Sequence, residues 1–225
     1  MMLDIAQLPR EAETPIEAKA ADLSGVIDDL DAAFAGDVMF DWFLRDDAQR
    51  NSGRMGFFNA LIRHVAFGTA RIERPASGGA AAVWMPPEAT GPISLLNELR
   101  VAPAILRATG LARVPRILAL QSAIDAHHPK SRPYAYLWFL GVHPQAQGMG
   151  VGSRLLRAAA RRLDAEGLPA YLETQTRRNV ALYRRHGFEV TAEFHARADS
   201  PPMWGMWREP QLDLFYQAIS EPARP

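Results

Sequence analysis

Trp138-Phe139-Leu140-Gly141-Val142-His143-Pro144-Gln145-Ala146-Gln147-Gly148-Met149-Gly150-Val151-Gly152-Ser153 is the stretch on which the fold turns. It opens as an apolar strand, passes through a glycine-rich turn and enters a helix whose apolar positions continue at Leu155, Leu156, Ala159 and Leu163. A strand that feeds a helix through such a loop gathers several backbone N–H groups at one point, with the positive end of the helix dipole behind them. That arrangement binds a phosphate or pyrophosphate.

Residue detail separates the possible phosphate carriers. A nucleotide-hydrolysing P-loop needs G-x-x-x-x-G-K-[ST], with lysine for the terminal phosphates and a hydroxyl for magnesium. Neither stands in register here. A dinucleotide fingerprint needs G-x-G-x-x-G, whereas Gly148, Gly150 and Gly152 are followed by Ser153 where the third glycine belongs. Glu173 lies at a strand end where it could imitate the ribose-binding acid. A single late βαβ unit would then have to do the work of a whole domain.

The third possibility fits the residues best. Gln147-Gly148-Met149-Gly150-Val151-Gly152 resembles the Q/R-x-x-G-x-G/A loop of the GNAT superfamily of N-acetyltransferases. After the short strand Tyr171-Leu172-Glu173-Thr174, the segment Asn179-Val180-Ala181-Leu182-Tyr183-Arg184-Arg185-His186-Gly187-Phe188 resembles the N…Y…GF stretch that closes the GNAT site. His128-Pro129-Lys130 and Pro201-Pro202-Met203-Trp204-Gly205-Met206-Trp207-Arg208 extend the likeness toward the puromycin N-acetyltransferase branch. The matched region runs over about residues 127 to 209, with a fainter echo in Ala82–Glu88. The resemblance implies an α/β (α+β) GNAT fold: a mixed, mostly antiparallel twisted sheet of six or seven strands flanked by helices. It also implies acetyl-CoA as cosubstrate.

Outward from the motif, the order from Tyr134 is strand, helix, strand, helix, strand, strand. The helix of 149–166 stops at Gly167-Leu168-Pro169. Phe188–His195 and Met203–Arg208 read as a closing hairpin, and Gln211–Ile219 as a terminal helical turn. Upstream, 15–20 reads as a first strand, followed by a helix capped by Asp22 or Ser24 with Val26, Ile27, Leu30, Ala33 and Phe34 on one face. A second helix is expected over 47–67. Thr69–Glu73 and Ala80–Trp84 form a hairpin around Ser77-Gly78-Gly79. Residues 86–133 interrupt the sheet as a helical insertion, around 91–107 and 113–126, broken by Gly110 and Pro115. Long apolar insertions are commonly pocket walls; a dimer interface or plain core packing are the alternatives. The organisation is an arm (1–14), one acetyltransferase domain (15–209) and a tail (210–225).

Composition narrows the classes. The 225 residues carry 25 basic and 25 acidic side chains and no cysteine. Zero formal charge gives no reason to expect nucleic acid or an anionic membrane as partner. The absence of cysteine rules out disulfides and an acyl-cysteine intermediate. No apolar run reaches the length of a membrane span, and Met1-Met2-Leu3-Asp4 lacks the start of a signal peptide, so a cytoplasmic protein is expected. Arg154, Arg157, Arg161, Arg162, Arg177, Arg178, Arg184 and Arg185 make the loop region basic. That rim suits a polyanion such as CoA, and equally a solvated helix face.

The resemblance assigns roles residue by residue. Leu140, Gly141 and Val142 would meet the pantetheine and acetyl group through their backbone. Gln147, Gly148, Met149, Gly150, Val151, Gly152 and Ser153 would hold the pyrophosphate, and Asn179 would contact the cofactor. Tyr183 is the candidate general acid toward the leaving thiolate, and Glu173, working through a water, the candidate base. The alternatives are a core tyrosine packed on Phe188 and an edge carboxylate paired with an arginine. His127 and His128 are alternative candidate bases, since histidine titrates in the useful range. Before Pro129, however, they read as two solvated loop histidines; His186 reads as a helix cap and His64 as structural. Trp42 and Phe43 are expected near the acceptor. The expected activity is direct acetyl transfer to a primary amine of a small molecule, without a metal, by a monomer or homodimer. A protein or peptide acceptor, or a non-catalytic acyl-CoA sensor, are the competing readings.

Overall fold

The computed structural model describes residues 5–91 and 94–211. The helices are α1 (Leu8–Glu11), α2 (Leu23–Ala33), α3 (Val38–Phe43), α4 (Arg50–Leu61), α5 (Leu95–His127), α6 (Val151–Glu166) and α7 (Arg177–Arg184). The strands are β1 (Ile16–Glu17), β2 (Arg71–Arg74), β3 (Ala80–Met85), β4 (Ala135–Val142), β5 (Ala170–Thr174), β6 (Glu189–His195) and β7 (Pro202–Arg208). They form one seven-stranded sheet in the order β1-β2-β3-β4-β5-β7-β6. All neighbours are antiparallel except β4 and β5, which the α6 crossover makes parallel.

Alternation along the central strands divides the core into two layers, as a sheet covered on both faces requires. Ala81, Val83, Met85, Tyr136, Phe139 and Tyr171 pack with α2, α3 and α4 on one face. Ala82, Trp84, Ala135, Leu137 and Leu172 pack with Leu156, Ala159 and Leu163 of α6 on the other. The alternation slips once. Val83 pairs with Phe139 but Trp84 pairs with Leu137, so Trp138 is an extra residue in β4. This β-bulge puts two successive rings, Trp138 and Phe139, on the same layer, with centroids 4.7 Å apart.

Several local expectations change in the folded chain. Asp22 does not cap α2 with its side chain. Its carboxylate instead accepts from the Lys19 amide at 2.8 Å and pairs with Arg74 at 2.6 Å. The expected first strand shrinks to two residues, and the long second helix finishes in a π turn, Ile62–Ala66. Helix α3, absent from the sequence reading, is capped by Asp37, whose Oδ1 accepts from the Met39 and Phe40 amides. The insertion is broken at Gly110 alone (φ 62°, ψ 166°), a conformation that needs glycine. Pro115, its ring holding φ near the helical value, stays inside the second half. The N-terminal arm is anchored: Leu8 and Ala12 are fully buried against Ala146, Val151 and Leu155. Of the expected terminal helical turn, all but Gln211 lies outside the described residues.

Candidate active site

The site begins where two strands part. Strands β4 and β5 pair only at Ala135–Ala170 and Tyr136–Tyr171. Beyond that point the β5 side of Leu137–Val142 has no strand partner, so its backbone is free to meet a ligand. The bulge at Trp138 begins where this pairing stops. A cavity of about 1420 Å³ fills the divergence and runs from the glycine loop to α3, α4 and α5. A single-ligand pocket is typically about 300–1,000 Å³, so there is room for two substrates side by side.

The loop is built to present amides. Gln147 Nε2 donates to the Val142 carbonyl at 3.1 Å, and this ties the loop to the end of β4. Gly148 and Gly150 take φ of 80° and 75°, values that only glycine adopts without strain. Gly150 is the N-cap of α6 and offers no side chain to its first turn. Among the described residues, the amides from Gly148 to Ser153 donate to no protein acceptor. Together with the dipole of a 16-residue helix they form a cradle for a diphosphate. A side chain at Gly152 would press on Val142 Cγ2 at 3.3 Å, which keeps the floor of the cradle flat.

Leu140, Gly141, Val142, Gln147, Gly148, Gly150, Val151, Gly152, Ser153, Glu173, Asn179 and Tyr183 all line this cavity. Met149 does not. Its side chain packs with the α1–α6 cluster, and its carbonyl accepts from Arg154 Nη1 at 3.0 Å. Gly141 has a second reason to be glycine: a Cβ there would lie 2.8 Å from Leu30 Cδ2 and 3.0 Å from Ala33 Cβ, so α2 lies flush on β4. The basic rim divides. Arg154 and Arg162 are held in ion pairs with Glu13 and with Glu73 and Glu166, while Arg178 and Arg185 face the cavity.

Tyr183 and Asn179 sit one turn apart on α7, which Thr176 caps by accepting from the Asn179 amide at 3.2 Å. The Tyr183 ring packs edge-on to Phe188 at 5.9 Å, and burial raises its hydroxyl well above the ordinary phenol range. It therefore stays protonated at neutral pH, the form a general acid needs. Packing on Phe188 and lining the cleft are compatible, so both readings of this residue hold geometrically. His186 does more than cap: its Nε2 lies 2.6 Å from Ser153 Oγ in the first turn of α6. Burial, then the nearby Arg157, Arg185 and Arg208, lower its pKa.

Glu173 lies at the opposite wall and is almost fully enclosed, with a side-chain exposure of 3%. No arginine pairs with it; its neighbour is His128, which the sequence reading left in solvent. Helix α5 ends at His127 because Pro129 cannot follow a helical residue comfortably. The chain then turns His128 inward against Tyr134, Tyr136 and Tyr171. His128 Nε2 lies 3.2 Å from Glu173 Oε1. The approach misses the hydrogen-bond direction, and both buried atoms are left without a directed partner. Burial first, and then the Glu173 carboxylate, push the Tyr136 and Tyr171 hydroxyls upward, so both remain neutral. His127, by contrast, is exposed and stacks on Phe194 at 3.8 Å. The H-P-K segment was the one signal in the sequence that pointed to His128.

The insertion forms the far wall. Val101, Ile105 and Ile117 of α5 face Phe40, Phe43 and Phe57 across the cavity. Arg116 Nη1 donates to the Trp42 carbonyl at 2.7 Å, and Arg113 to the Leu44 carbonyl, so α5 is tied to the end of α3. Phe43 lines the cavity as expected, but Trp42 does not; its ring lies under the Arg116 guanidinium at 5.4 Å. The opposite side of α5 leaves Leu95, Leu96, Leu99, Leu111 and Leu118 exposed. No helix among the described residues is long and apolar enough to cross a membrane, and they contain no cluster of three potential metal ligands.

Comparison with known proteins bears on the same region. Residues 116–188 match the family model "Acetyltransferase (GNAT) family". An uncharacterized N-acetyltransferase of Schizosaccharomyces pombe is 30% identical over 89 residues, 39% of this chain and 36% of that protein. A mycothiol acetyltransferase of Paenarthrobacter aurescens is 33% identical over 84 residues, 35% of this chain and 24% of that protein. The chain thus spans about a third or less of these curated relatives. A Corynebacterium glutamicum structure described as histone acetyltransferase HPA2 and related acetyltransferase superposes with a TM-score of 0.66. It covers 88% of this chain and 97% of its own at 23% identity, a likeness of fold. The parted strands and the amide cradle lie in or beside the segment that matches the GNAT acetyltransferase family model, residues 116–188, and the chain has the fold of the Corynebacterium glutamicum structure.

Proposed function

We propose that this protein is an acetyl-CoA-dependent N-acetyltransferase that passes the acetyl group directly to the primary amine of a small molecule. The observation that carries the reading is one cavity holding three things: the free amides of Gly148–Ser153, the unpaired edge of β4, and Glu173 and Tyr183 on opposite walls. Acetyl-CoA would supply an activated thioester. The loop amides would bind its diphosphate, and the β4 edge would orient the acyl group and hold the developing oxyanion. Glu173 would take the amine proton through water, and Tyr183 would protonate the departing thiolate. Without cysteine, no acyl-thioester enzyme intermediate can form, which favours direct transfer over a less common nucleophile.

The position of α5 supports a small acceptor. Helix α5 closes the cavity with an apolar wall and is fastened to α3 by Arg113 and Arg116, so a small molecule fits better than a peptide laid across an open groove. The puromycin N-acetyltransferase branch is the part of the superfamily whose motifs the chain resembles, and a mycothiol acetyltransferase among the relatives also names a small molecule.

The test is release of free CoA thiol from acetyl-CoA across a panel of primary amines, with acetyl-CoA binding followed by calorimetry. Amine-dependent release supports the proposal. Tight binding with no release on any amine would leave a sensor, and absence of binding would remove the cradle itself.

A further inference from the structure

We infer that His128 is a catalytic residue, and that it shares with Glu173 the proton removed from the acceptor ammonium. The inference rests on the acetyltransferase reading of the same cavity and assigns a group that reading does not use.

The geometry is unusual for a structural histidine. A buried imidazole normally has both nitrogens engaged, because an unmet polar atom in the interior costs about 1–3 kcal/mol. Here only Nδ1 is met, by the Tyr134 hydroxyl at 3.0 Å. Nε2 faces the Glu173 carboxylate across 3.2 Å without a directed bond, and Glu173 Oε1 is equally unmet. Both residues line the cavity. A single proton held between Nε2 and Oε1 would join the two groups, and the cavity that both residues line gives it a route in and out. Tyr134, Tyr136 and Tyr171 enclose the pair, and burial keeps all three neutral. Asp125, on the α5 wall, is taken up by Gln121 at 2.8 Å.

The balance of the step is as follows. A primary ammonium in the cavity passes one proton through a water to the His128–Glu173 pair, becoming a neutral amine with a free lone pair. That lone pair forms the N–C bond to the thioester carbon. The tetrahedral adduct collapses with cleavage of C–S, and Tyr183 gives its proton to the sulfur. The adduct nitrogen returns a proton to Tyr183. The proton held by the pair passes to solvent after amide release, so each cycle consumes one ammonium and one thioester and yields amide, thiol and one proton. Imidazole suits the holding role because either ring nitrogen can carry the proton.

The experiment compares two amine classes on His128→Gln, which keeps polarity and approximate size but cannot take the proton. With a basic alkylamine, cationic at pH 7, turnover should fall about 10²-fold or more. With a fluorinated amine already neutral at that pH, the loss should be less than about tenfold, because no proton needs removing before attack. Acetyl-CoA affinity should not change. Equal losses for both amines would mean a structural role, and undiminished turnover would remove His128 from the reaction; either overturns the inference while leaving the acetyltransferase reading intact. A wild type that binds acetyl-CoA but acetylates no amine overturns both. Should His128→Gln fail to fold, Tyr134→Phe serves instead: loss of the Nδ1 partner should move the midpoint of the pH–rate profile, and an unmoved midpoint would count against the pair.

Discussion

Replacing Tyr183 by phenylalanine separates chemistry from packing more cleanly than any other change in this cleft. The ring contact with Phe188 at 5.9 Å survives the substitution. Burial is the sole cause of the raised hydroxyl pKa, with no hydrogen-bond partner contributing, so no protein group is orphaned by removing it. The expected change in stability is therefore within about 0.5 kcal/mol, the range of a substitution that breaks no specific interaction. General acid catalysis contributes about 10²–10⁴-fold, which is about 2.7–5.5 kcal/mol of barrier at roughly 1.36 kcal/mol per tenfold. Steady-state thiol release should fall by that factor while the calorimetric Kd for acetyl-CoA and the thermal midpoint hold. A thioester with a more acidic leaving thiol should recover part of the loss, because it needs less protonation. Turnover within threefold of wild type would refute the acid assignment. So would an alkaline limb near pH 8 that vanishes with Tyr183→Phe, since burial moves this phenol upward from its ordinary value of 10.0.

Gly141→Ala should cost about 1–3 kcal/mol by overpacking, because its Cβ would sit 2.8 Å from Leu30 Cδ2. Pushing β4 off α2 should also weaken acetyl-CoA binding, read by calorimetry beside the melt. Arg54→Ala should lower the urea midpoint by the equivalent of about 3–5 kcal/mol, as loss of one partner of a buried pair does. Its Nε and Nη2 lie 2.8 and 3.2 Å from the Asp31 carboxylate, and only 9% and 14% of the two side chains are exposed. Arg54→Met combined with Asp31→Leu should recover most of that loss. Alkali should destabilise the fold. Tyr136, Tyr171 and Tyr183 are all raised above the ordinary phenol value of 10.0 by burial, so the native state holds protons that the unfolded state releases. Their contribution is complete below pH 10 and is lost as pH climbs from there toward the folded values. Urea midpoints at rising pH should show this, with a shallower slope in each Tyr→Phe variant.

What the residue order determined alone was everything governed by local chemistry. Periodicity marked α2, α4 and α6, alternation and a Ser-Gly-Gly turn marked the β2–β3 hairpin, and the spacing of Gly148, Gly150 and Gly152 marked an amide cradle at a helix start, because glycine content and helix dipoles act over a few residues. The α3 turn escaped because six residues carry too little periodicity, and Asp22 was misread because its carboxylate is claimed by Arg74, distant in sequence. The tertiary structure decided what depends on neighbours far along the chain. It parted β4 from β5 at the Trp138 bulge, laid α5 over the acceptor end and folded His128 from a proline turn onto Glu173. Burial and partner choice are properties of the packed whole, so a histidine beside a proline reads as solvated until the tyrosines that enclose it are in place.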